Sequence, residues 1–180
     1  MLVVGVDPSS TSTGYGVIEY DRRQCRYIDC GCIRPKTGLA FEDRLVFIYD
    51  RMREVLSEFA PQEAAIESTF FGKDADAAAK LGQARGVLLL ALRQAHLPVE
   101  HYTPASVKKS VAGNGRASKE RVQFMVARLL GLRELPAPLD ASDALAIALC
   151  HLRRPDVALQ GTQKARRPEV EALLKRVVRR

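Results

Sequence analysis

The first apolar segment of the chain, together with the acid that ends it, constrains the fold most strongly. Residues 2–6 are apolar or glycine, and Asp7 follows them directly. An unbroken run of this kind predicts a strand that is covered on both faces, as in the centre of a sheet. A carboxylate at the end of such a strand needs a counter-charge. The following turn, residues 8–14, is rich in serine and threonine and contains no basic residue. The partner of Asp7 is therefore a distant side chain or a metal ion.

The rest of the pattern predicts a mixed sheet of five strands with helices on its faces. Alternating apolar positions predict two strands that form an antiparallel meander with the first, and two later strands that alternate with helices. The predicted strands after the first are residues 15–20, 25–33, 64–67 and 97–102. The predicted helices cover 41–59 and 74–95 and then begin at Thr103, Ser118 and Asp140, with Asp140 as a cap. The apolar stripe of the first helix, expected against the sheet, is Phe41, Leu45, Ile48, Met52, Val55 and Phe59.

Length and charge indicate one domain followed by a basic tail. The chain has 180 residues, 47% of them hydrophobic, which is enough to bury a core. We expect a domain over residues 1–153 and a tail over 154–180, where the apolar spacing is compatible with a short amphipathic helix. From Arg153 onwards nine lysines and arginines outnumber three acids, which leaves only +1 of the net charge of +7 for the body. Overall charge is therefore weak support for a nucleic-acid site in the body.

Composition also bears on compartment. No segment is apolar over a length that would cross a bilayer, and no basic segment precedes the N-terminal apolar run as in a signal peptide. The four cysteines do not show the spacing of a zinc site. We therefore expect reduced cysteines in a cytoplasmic protein with no membrane segment.

Four carboxylates stand out because they lie at the ends of elements. Asp7 and Glu67 each end an apolar strand, and Asp140 and Asp143 lie three residues apart in the first turn of the last helix. Taken alone, the two helix acids have a structural explanation as a cap and as partners of the helix dipole. If the first and fourth strands are neighbours, however, all four acids can converge. Like charges this close raise each other's pKa unless cations balance them.

Divalent cations would balance such a group of acids. Two Mg²⁺ ions match four carboxylates in charge, and Mn²⁺ can substitute, because oxygen-only ligands suit these ions better than zinc. Two ions about 3.5–4 Å apart are a common arrangement for phosphodiester hydrolysis, in which one activates water and the other stabilises the leaving oxygen. The acids therefore predict a two-metal phosphodiesterase.

The motifs around these acids, in this order, resemble the RuvC family of bacterial Holliday-junction resolvases. They are residues 4–8 (VGVDP), 65–67 (AIE), 80–86 (KLGQARG), 113–115 (GNG) with Lys119, and 140–146 (DASDALA). The resemblance implies a ribonuclease-H-like α/β fold, with a mixed five-stranded sheet and helices on both faces. It implies a homodimer, Mg²⁺-dependent paired nicking of four-way DNA junctions in recombination and repair, and partnership with the RuvA–RuvB branch-migration complex. The metal-binding and catalytic acids that it implies are Asp7, Glu67, Asp140 and Asp143.

A basic cluster between residues 101 and 121 is the candidate DNA surface. Its cations, against the single acid Glu120, are Lys108, Lys109, Arg116, Lys119 and Arg121. A solvated helix surface is the plain alternative. In favour of DNA, two nearby glycines let the backbone approach a phosphate, and Lys119 lies in the first turn of a helix. The resemblance implies that Lys108 and Lys119 contact the DNA backbone or the scissile phosphate, where a lysine offsets the charge that builds as the bond breaks.

Two phenylalanines follow Glu67 in a polar loop. An aromatic residue beside the metals can stack on an unpaired base. The resemblance implies that Phe70 wedges into the centre of the junction, whereas for Phe71 a place in the core is an equally open alternative.

Gly82 and Gly86 lie one turn apart on one face of the 74–95 helix. Since a single metal centre needs a twofold partner to cut a junction at two symmetric places, this face is a candidate contact with a second copy. The alternative is that the glycines let the helix lie close to its own sheet. The tail has two open interpretations as well, non-specific DNA binding or a solvated extension.

Two other functional classes fit the sequence less well. A sugar-kinase or actin-type ATPase also begins with a strand, an acid and a Ser/Thr-rich turn, but it needs a second similar half. This chain is too short for one and has no glycine-rich nucleotide loop. A junction-binding module without catalysis is the third possibility, but a DNA binder gains nothing from four clustered negative charges.

Overall fold

The structure, a computed structural model, describes residues 1–21, 24–68 and 74–154. Its strands are β1 (Leu2–Asp7), β2 (Thr13–Asp21), β3 (Gln24–Ile33), β4 (Glu63–Glu67) and β5 (Val99–Tyr102). Its helices are α1 (Phe41–Phe59), α2 (Ala75–Gln94), α3 (Pro104–Ala112), α4 (Lys119–Leu130) and α5 (Leu139–Leu152). The predicted order of elements is therefore confirmed, with most boundaries shifted by only one or two residues.

The five strands form one mixed sheet in the order β3-β2-β1-β4-β5. β1 pairs antiparallel with β2 and parallel with β4, and β5 continues the parallel part. The apolar N-terminal run is thus an inner strand, as its composition predicts. Because parallel neighbours end at the same edge of a sheet, β1 and β4 carry their last residues to one place.

Two apolar layers cover the two faces of this sheet. Side chains of β1 alternate between them: Val4 and Val6 pack in one cluster with α1 and α2, while Val3 packs in the other with α3, α4 and α5. Each cluster removes most of its side chains from water, which is the main favourable contribution to folding. This arrangement confirms the ribonuclease-H-like α/β architecture with helices on both faces.

Helix α5 lies unusually close to the sheet. A Cβ added at Gly5 of β1 would lie 2.1 Å from the backbone oxygen of Ala144, and one added at Gly14 of β2 would lie 2.0 Å from that of Asp140. These glycines leave room for the backbone of α5 to rest directly on two strands. The first turn of α5 is thereby brought to the edge where β1 and β4 end.

Two expectations about helices are wrong in detail. Asp140 does not cap α5, because the helix begins at Leu139 after Pro138 and has no side-chain cap. In α1 only the second half of the predicted stripe is buried, from Ile48 onwards, while Phe41 and Leu45 are half-buried and line an open groove beside α2. The apolar groups at the start of α1 therefore face this groove rather than the sheet.

Within the described ranges, no helix is both long and apolar enough to cross a membrane. The four cysteines, Cys25, Cys30, Cys32 and Cys150, are all free thiols. This agrees with the expectation of reduced cysteines.

Candidate active site

Two neighbouring strands bring the first two acids together. β1 and β4 are parallel, and Val6 is the partner of Ile66 in their register. Asp7 and Glu67 are the next residues on each strand, so the condition set by the sequence, that the first and fourth strands be neighbours, is met. Both carboxylates line the same cleft.

The cleft is a cavity of about 170 Å³ between the ends of these strands and the starts of three helices. Asp143, the fifth residue of α5, reaches it from the start of the second turn, and two lysines reach it from α3 and α4. Its lining is Asp7, Glu67, Pro104, Val107, Lys108, Lys119, Val122 and Asp143. Three of the four predicted acids and two of the predicted DNA-binding lysines thus share one small cavity.

Asp7 carries the most perturbed carboxyl group of the cleft. Burial and the nearby charges of Glu67, Asp143 and Asp140 raise its pKa from 3.8 to about 8, and Lys119 acts against them. Without an additional cation, Asp7 is therefore largely protonated at neutral pH.

Glu67 and Lys119 complete this pattern. Burial and the charge of Asp143 raise the pKa of Glu67 from 4.5 to about 7, against the lowering effect of Lys119 and Lys108. The Lys119 ammonium donates a hydrogen bond to Asp143 Oδ2 at 2.9 Å, and this contact raises the pKa of the lysine. The two lysines thus offset part of the negative charge of the cleft but leave two carboxyl groups with high proton affinity.

The donor set of the cleft fits a hard divalent cation. All its potential ligands are carboxylate oxygens, and a cation would relieve the repulsion that raises the pKa values of Asp7 and Glu67. In the described part of the chain, no group of three or more His, Cys, Asp or Glu side chains is arranged so that it could hold a metal ion by itself. An open set of this kind suits Mg²⁺, which keeps several waters and binds one or two carboxylates together with substrate phosphates.

Asp140 lies beside the cleft rather than in its lining. It contributes to raising the pKa of Asp7, so its charge acts on the same place. Its Oδ2 accepts a hydrogen bond from the Ser12 hydroxyl at 2.5 Å. The fourth predicted acid is therefore near the other three but is held by a partner from the turn between β1 and β2.

Comparison with known proteins identifies the family of this chain. The family model of crossover junction endodeoxyribonuclease RuvC matches residues 3–151. A protein of that description from Pelotomaculum thermopropionicum is 47% identical over 151 residues, which are 84% of this chain and 92% of the relative. One from Moorella thermoacetica is 48% identical over 151 residues, 84% of this chain and 90% of the relative. The chain belongs to the RuvC family.

A solved structure of a RuvC protein supports the same assignment. The RuvC of Thermus thermophilus, in complex with a Holliday junction substrate, superposes with a TM-score of 0.78 at 39% identity. The match covers 84% of this chain and 92% of that one. RuvC proteins are metal-dependent nucleases, which agrees with the all-oxygen donor set of the cleft. The family model ends at residue 151, so the basic tail lies outside it.

Two of the predicted DNA-binding cations lie outside the cleft. Lys109 is exposed on α3, and Arg116 is exposed in the turn between α3 and α4, where its backbone N–H donates to Asn114 Oδ1. The turn itself is shaped as expected, since Gly113 ends α3 with a positive φ of 78°. These two side chains are therefore available to DNA that extends beyond the cleft, but they do not contact the acids.

Sequence reasoning missed Arg85, which supports Glu67 from α2. Its Nε donates to the backbone oxygen of Glu67 at 3.0 Å, and its Nη2 lies within hydrogen-bond distance of His101 Nδ1. The only signal in the sequence was its place in the 80–86 motif. Phe70 and Phe71, and the tail from residue 155, lie outside the described residues.

Proposed function

We propose that this protein resolves Holliday junctions by paired, symmetric nicks, as an endodeoxyribonuclease of the RuvC family. The observation that carries the proposal is the single cleft shared by Asp7, Glu67, Asp143 and Lys119. Clustered carboxylates that repel one another bind divalent cations, and a nuclease can use such cations to act on the scissile phosphate. The chain spans 92% of the Pelotomaculum relative, so the proposal applies to the whole family domain.

The metal ligands in this proposal are Asp7, Glu67, Asp140 and Asp143. Two Mg²⁺ ions bound there, with Mn²⁺ as a substitute, would supply activation of the attacking water and stabilisation of the leaving oxygen. The strand-end acids are held on the rigid sheet, while Asp143 comes from a helix packed directly on that sheet. This rigidity favours catalysis, because the ligands need little reorganisation when substrate binds.

Lys119 has a catalytic role in the proposal. It lies in the first turn of α4, and its ammonium is already paired with Asp143. A phosphate entering the cleft would find this cation beside the acids, where it offsets charge that develops on the phosphate oxygens. Lys108 lines the same cavity and would contact the neighbouring DNA backbone.

The proposed roles predict different effects for substitutions of these cations, because Lys119 acts in catalysis whereas Lys109 and Arg116 bind the flanking DNA. We expect Lys119→Ala to lower the single-turnover cleavage rate about 100-fold or more, as when an electrostatic stabiliser is removed. Lys109→Ala and Arg116→Ala should instead weaken binding and each lower the magnitude of the salt slope of binding by about 0.9, without changing the rate of saturated enzyme. Equal effects of all three substitutions on the cleavage rate would contradict this division of roles.

A second copy of the chain is the proposed partner on the α1–α2 face. An open groove of about 410 Å³ runs between α1 and α2, and its lining is mainly apolar: Phe41, Glu42, Leu45, Gln83, Gly86, Val87 and Leu90. Leu90 is 52% exposed. Within the described residues, no atom comes within 4 Å of a Cβ added at Gly82 or Gly86, so close packing on the chain's own sheet does not explain these glycines.

A residue role, a further partner and the compartment are proposed from family membership alone. We propose that Phe70 enters the junction centre, that the RuvA–RuvB complex delivers the junction, and that the enzyme works in the cytoplasm. The domain boundary near residue 153 and a DNA-binding role of the basic tail are proposed on a different ground, the excess of lysine and arginine that begins at Arg153. Removal of residues 155–180 should weaken binding to DNA of any shape and leave the choice of junction over duplex unchanged.

The direct test of the function is a cleavage assay on a synthetic four-way junction. The protein should cut the junction at two symmetric positions with Mg²⁺ and should cut a duplex of the same arm sequence far more slowly. EDTA should abolish cleavage. Cleavage that persists in EDTA, or equal cleavage of junction and duplex, would contradict the proposal.

A further inference from the structure

The turn between β1 and β2, residues 8–12, is closed by its own hydroxyl groups. Thr13 Oγ1 donates to the backbone oxygen of Ser9 at 2.6 Å, and the backbone N–H groups of Thr11 and Ser12 both donate to Ser9 Oγ at 3.2 Å. Such side-chain bonds hold a turn in one shape. The Ser/Thr-rich segment therefore fixes the position of Ser12, a residue that the mechanism above does not use.

The fold places this turn against the first turn of α5. Gly14, two residues after Ser12, lies so close to α5 that an added Cβ would be 2.0 Å from the backbone oxygen of Asp140. Only a residue without a side chain permits this approach. The contact brings Ser12 to Asp140 although the two residues are 128 positions apart in sequence.

The Ser12 hydroxyl has one proton, and three side chains lie beside it, those of Asp140, Arg34 and Cys32. Arg34 Nε donates to Ser12 Oγ at 3.1 Å, so the serine oxygen acts as an acceptor there. The serine hydroxyl donates its proton to Asp140 Oδ2, at 2.5 Å between the oxygens. Short distances of this kind are typical of charge-assisted hydrogen bonds.

From these contacts we propose that Ser12 is the positioning residue of Asp140, with Arg34 orienting the serine hydroxyl. The bond occupies Oδ2 and restricts rotation of the carboxylate, so Oδ1 is the oxygen that would bind a cation. Acids that ligate metals are generally held by such hydrogen bonds, and loss of one typically lowers metal affinity by about 10–100-fold. This inference rests on the metal role proposed for Asp140.

The competing interpretation is a purely structural link between the turn and α5. In that case loss of the hydroxyl would lower stability and the fraction of folded enzyme, but not the affinity for metal. The two interpretations are separated by the metal concentration at which cleavage is half-maximal. They are also separated by direct metal binding, which does not depend on turnover.

The test compares Ser12→Ala with two matched variants of the same turn. Ser10→Ala removes a hydroxyl that has no hydrogen bond to α5 among the described contacts, and Ser12→Thr retains the hydroxyl. Cleavage of a four-way junction is measured in single turnover over a Mg²⁺ titration. Binding of Mn²⁺ to the protein without DNA is measured by calorimetry, and thermal unfolding in EDTA shows that each variant is folded.

We expect Ser12→Ala to raise the Mg²⁺ concentration for half-maximal cleavage about tenfold and to weaken Mn²⁺ binding similarly, while the rate at saturating Mg²⁺ stays within about twofold of the parent. Ser12→Thr and Ser10→Ala should resemble the parent protein. Arg34→Ala should give a smaller change in the same direction.

An unchanged Mg²⁺ midpoint in folded Ser12→Ala would overturn the inference, as would an unchanged Mn²⁺ isotherm. If Mn²⁺ binds only when DNA is present, the Mg²⁺ concentration for half-maximal cleavage alone decides the role of Ser12. Failure of the proposed function is a different result, because then the parent protein itself cuts no junction; the Mn²⁺ isotherms of parent and variant still test the role of Ser12.

Discussion

Asp7 and Glu67 hold protons in the metal-free protein at pH values where ordinary carboxyl groups have lost them. Their pKa values rise to about 8 and about 7, chiefly because both groups are buried and then because of neighbouring carboxylates. A metal ion needs the ionised forms, so its binding must release these protons. We therefore expect the apparent affinity for Mg²⁺ or Mn²⁺ to rise from pH 6 to about pH 8. Calorimetry in buffers of different ionisation enthalpy should show proton release, and a pH-independent affinity without release would contradict this account.

The same groups lower the stability of the metal-free protein as the pH rises. In the unfolded chain they ionise near their ordinary values of 3.8 and 4.5. Because the folded state holds more protons between about pH 4 and pH 8, its stability is greatest at the low end of this range and falls towards pH 8. Asp7→Asn should therefore raise the Tm in EDTA at pH 8, by roughly 2–4 °C for each kcal/mol gained. Asp50→Asn, a change at an exposed acid of α1, should leave it unchanged, and a lower Tm for Asp7→Asn would contradict the pKa assignment.

Among individual residues, the sequence predicts the acids of the cleft better than the residues that form hydrogen bonds to them. Asp7 and Glu67 could be found because each ends an apolar strand, a pattern that requires a partner. Ser12 could not be assigned, because its bond to Asp140 depends on how closely α5 approaches β2. The prediction that Asp140 caps α5 is wrong, because the helix already begins at Leu139 and Pro138 takes the cap position. Arg85 lies in the 80–86 motif, but its contact with the backbone oxygen of Glu67 depends on the fold and could not be predicted from that motif.

Among the elements, α5 is the one whose position determines the cleft. Its backbone rests on β1 at Gly5, where an added Cβ would be 2.1 Å from the oxygen of Ala144 and 2.7 Å from the nitrogen of Ala148. Gly5→Ala must push the helix away, which we expect to cost about 1–3 kcal/mol of folding free energy. It should also lower cleavage, because Asp143 moves with the helix. Denaturant unfolding and the junction assay measure the two effects.

Gly131→Ala is the control substitution for Gly5→Ala. That glycine ends α4 with a positive φ of 65° and has no atom within 4 Å of an added Cβ. The substitution should therefore lower stability through backbone strain without displacing α5. Normal junction cleavage by folded Gly131→Ala, with loss in Gly5→Ala, would support the account; full activity in Gly5→Ala would contradict it.

Element order was predictable from apolar periodicity, but the way in which helices share their apolar faces was not. The stripe of α1 has one period over its whole length, yet only its second half packs on the sheet. Its first half faces the groove beside α2, which Phe41 and Leu45 line. Periodicity indicates that a face is apolar, but it does not distinguish the protein's own core from an interface.

For the molecule as a whole, this groove predicts a dimer. Leu90 lies on the exposed apolar face of α2, and a charge there would be buried without a partner in a dimer interface. We expect Leu90→Glu to convert a dimer into a folded monomer, as measured by light scattering. Phe124→Glu, at an exposed apolar residue of α4, should remain dimeric. A parent protein with the mass of a monomer, or a dimeric Leu90→Glu, would contradict the interface.

The proposed function requires that acids distant in sequence form one cleft in which metal ions and the scissile phosphate meet. Its most direct test is single-turnover cleavage of a four-way junction by Asp7→Asn, with junction binding measured in parallel. Because loss of a residue that only supports a metal ligand costs about 10–100-fold, loss of a ligand itself should cost more than about 100-fold. We predict that Asp7→Asn binds the junction as the parent does and cuts it at least 100-fold more slowly at every Mg²⁺ concentration. Cleavage near the parent rate would contradict the claim.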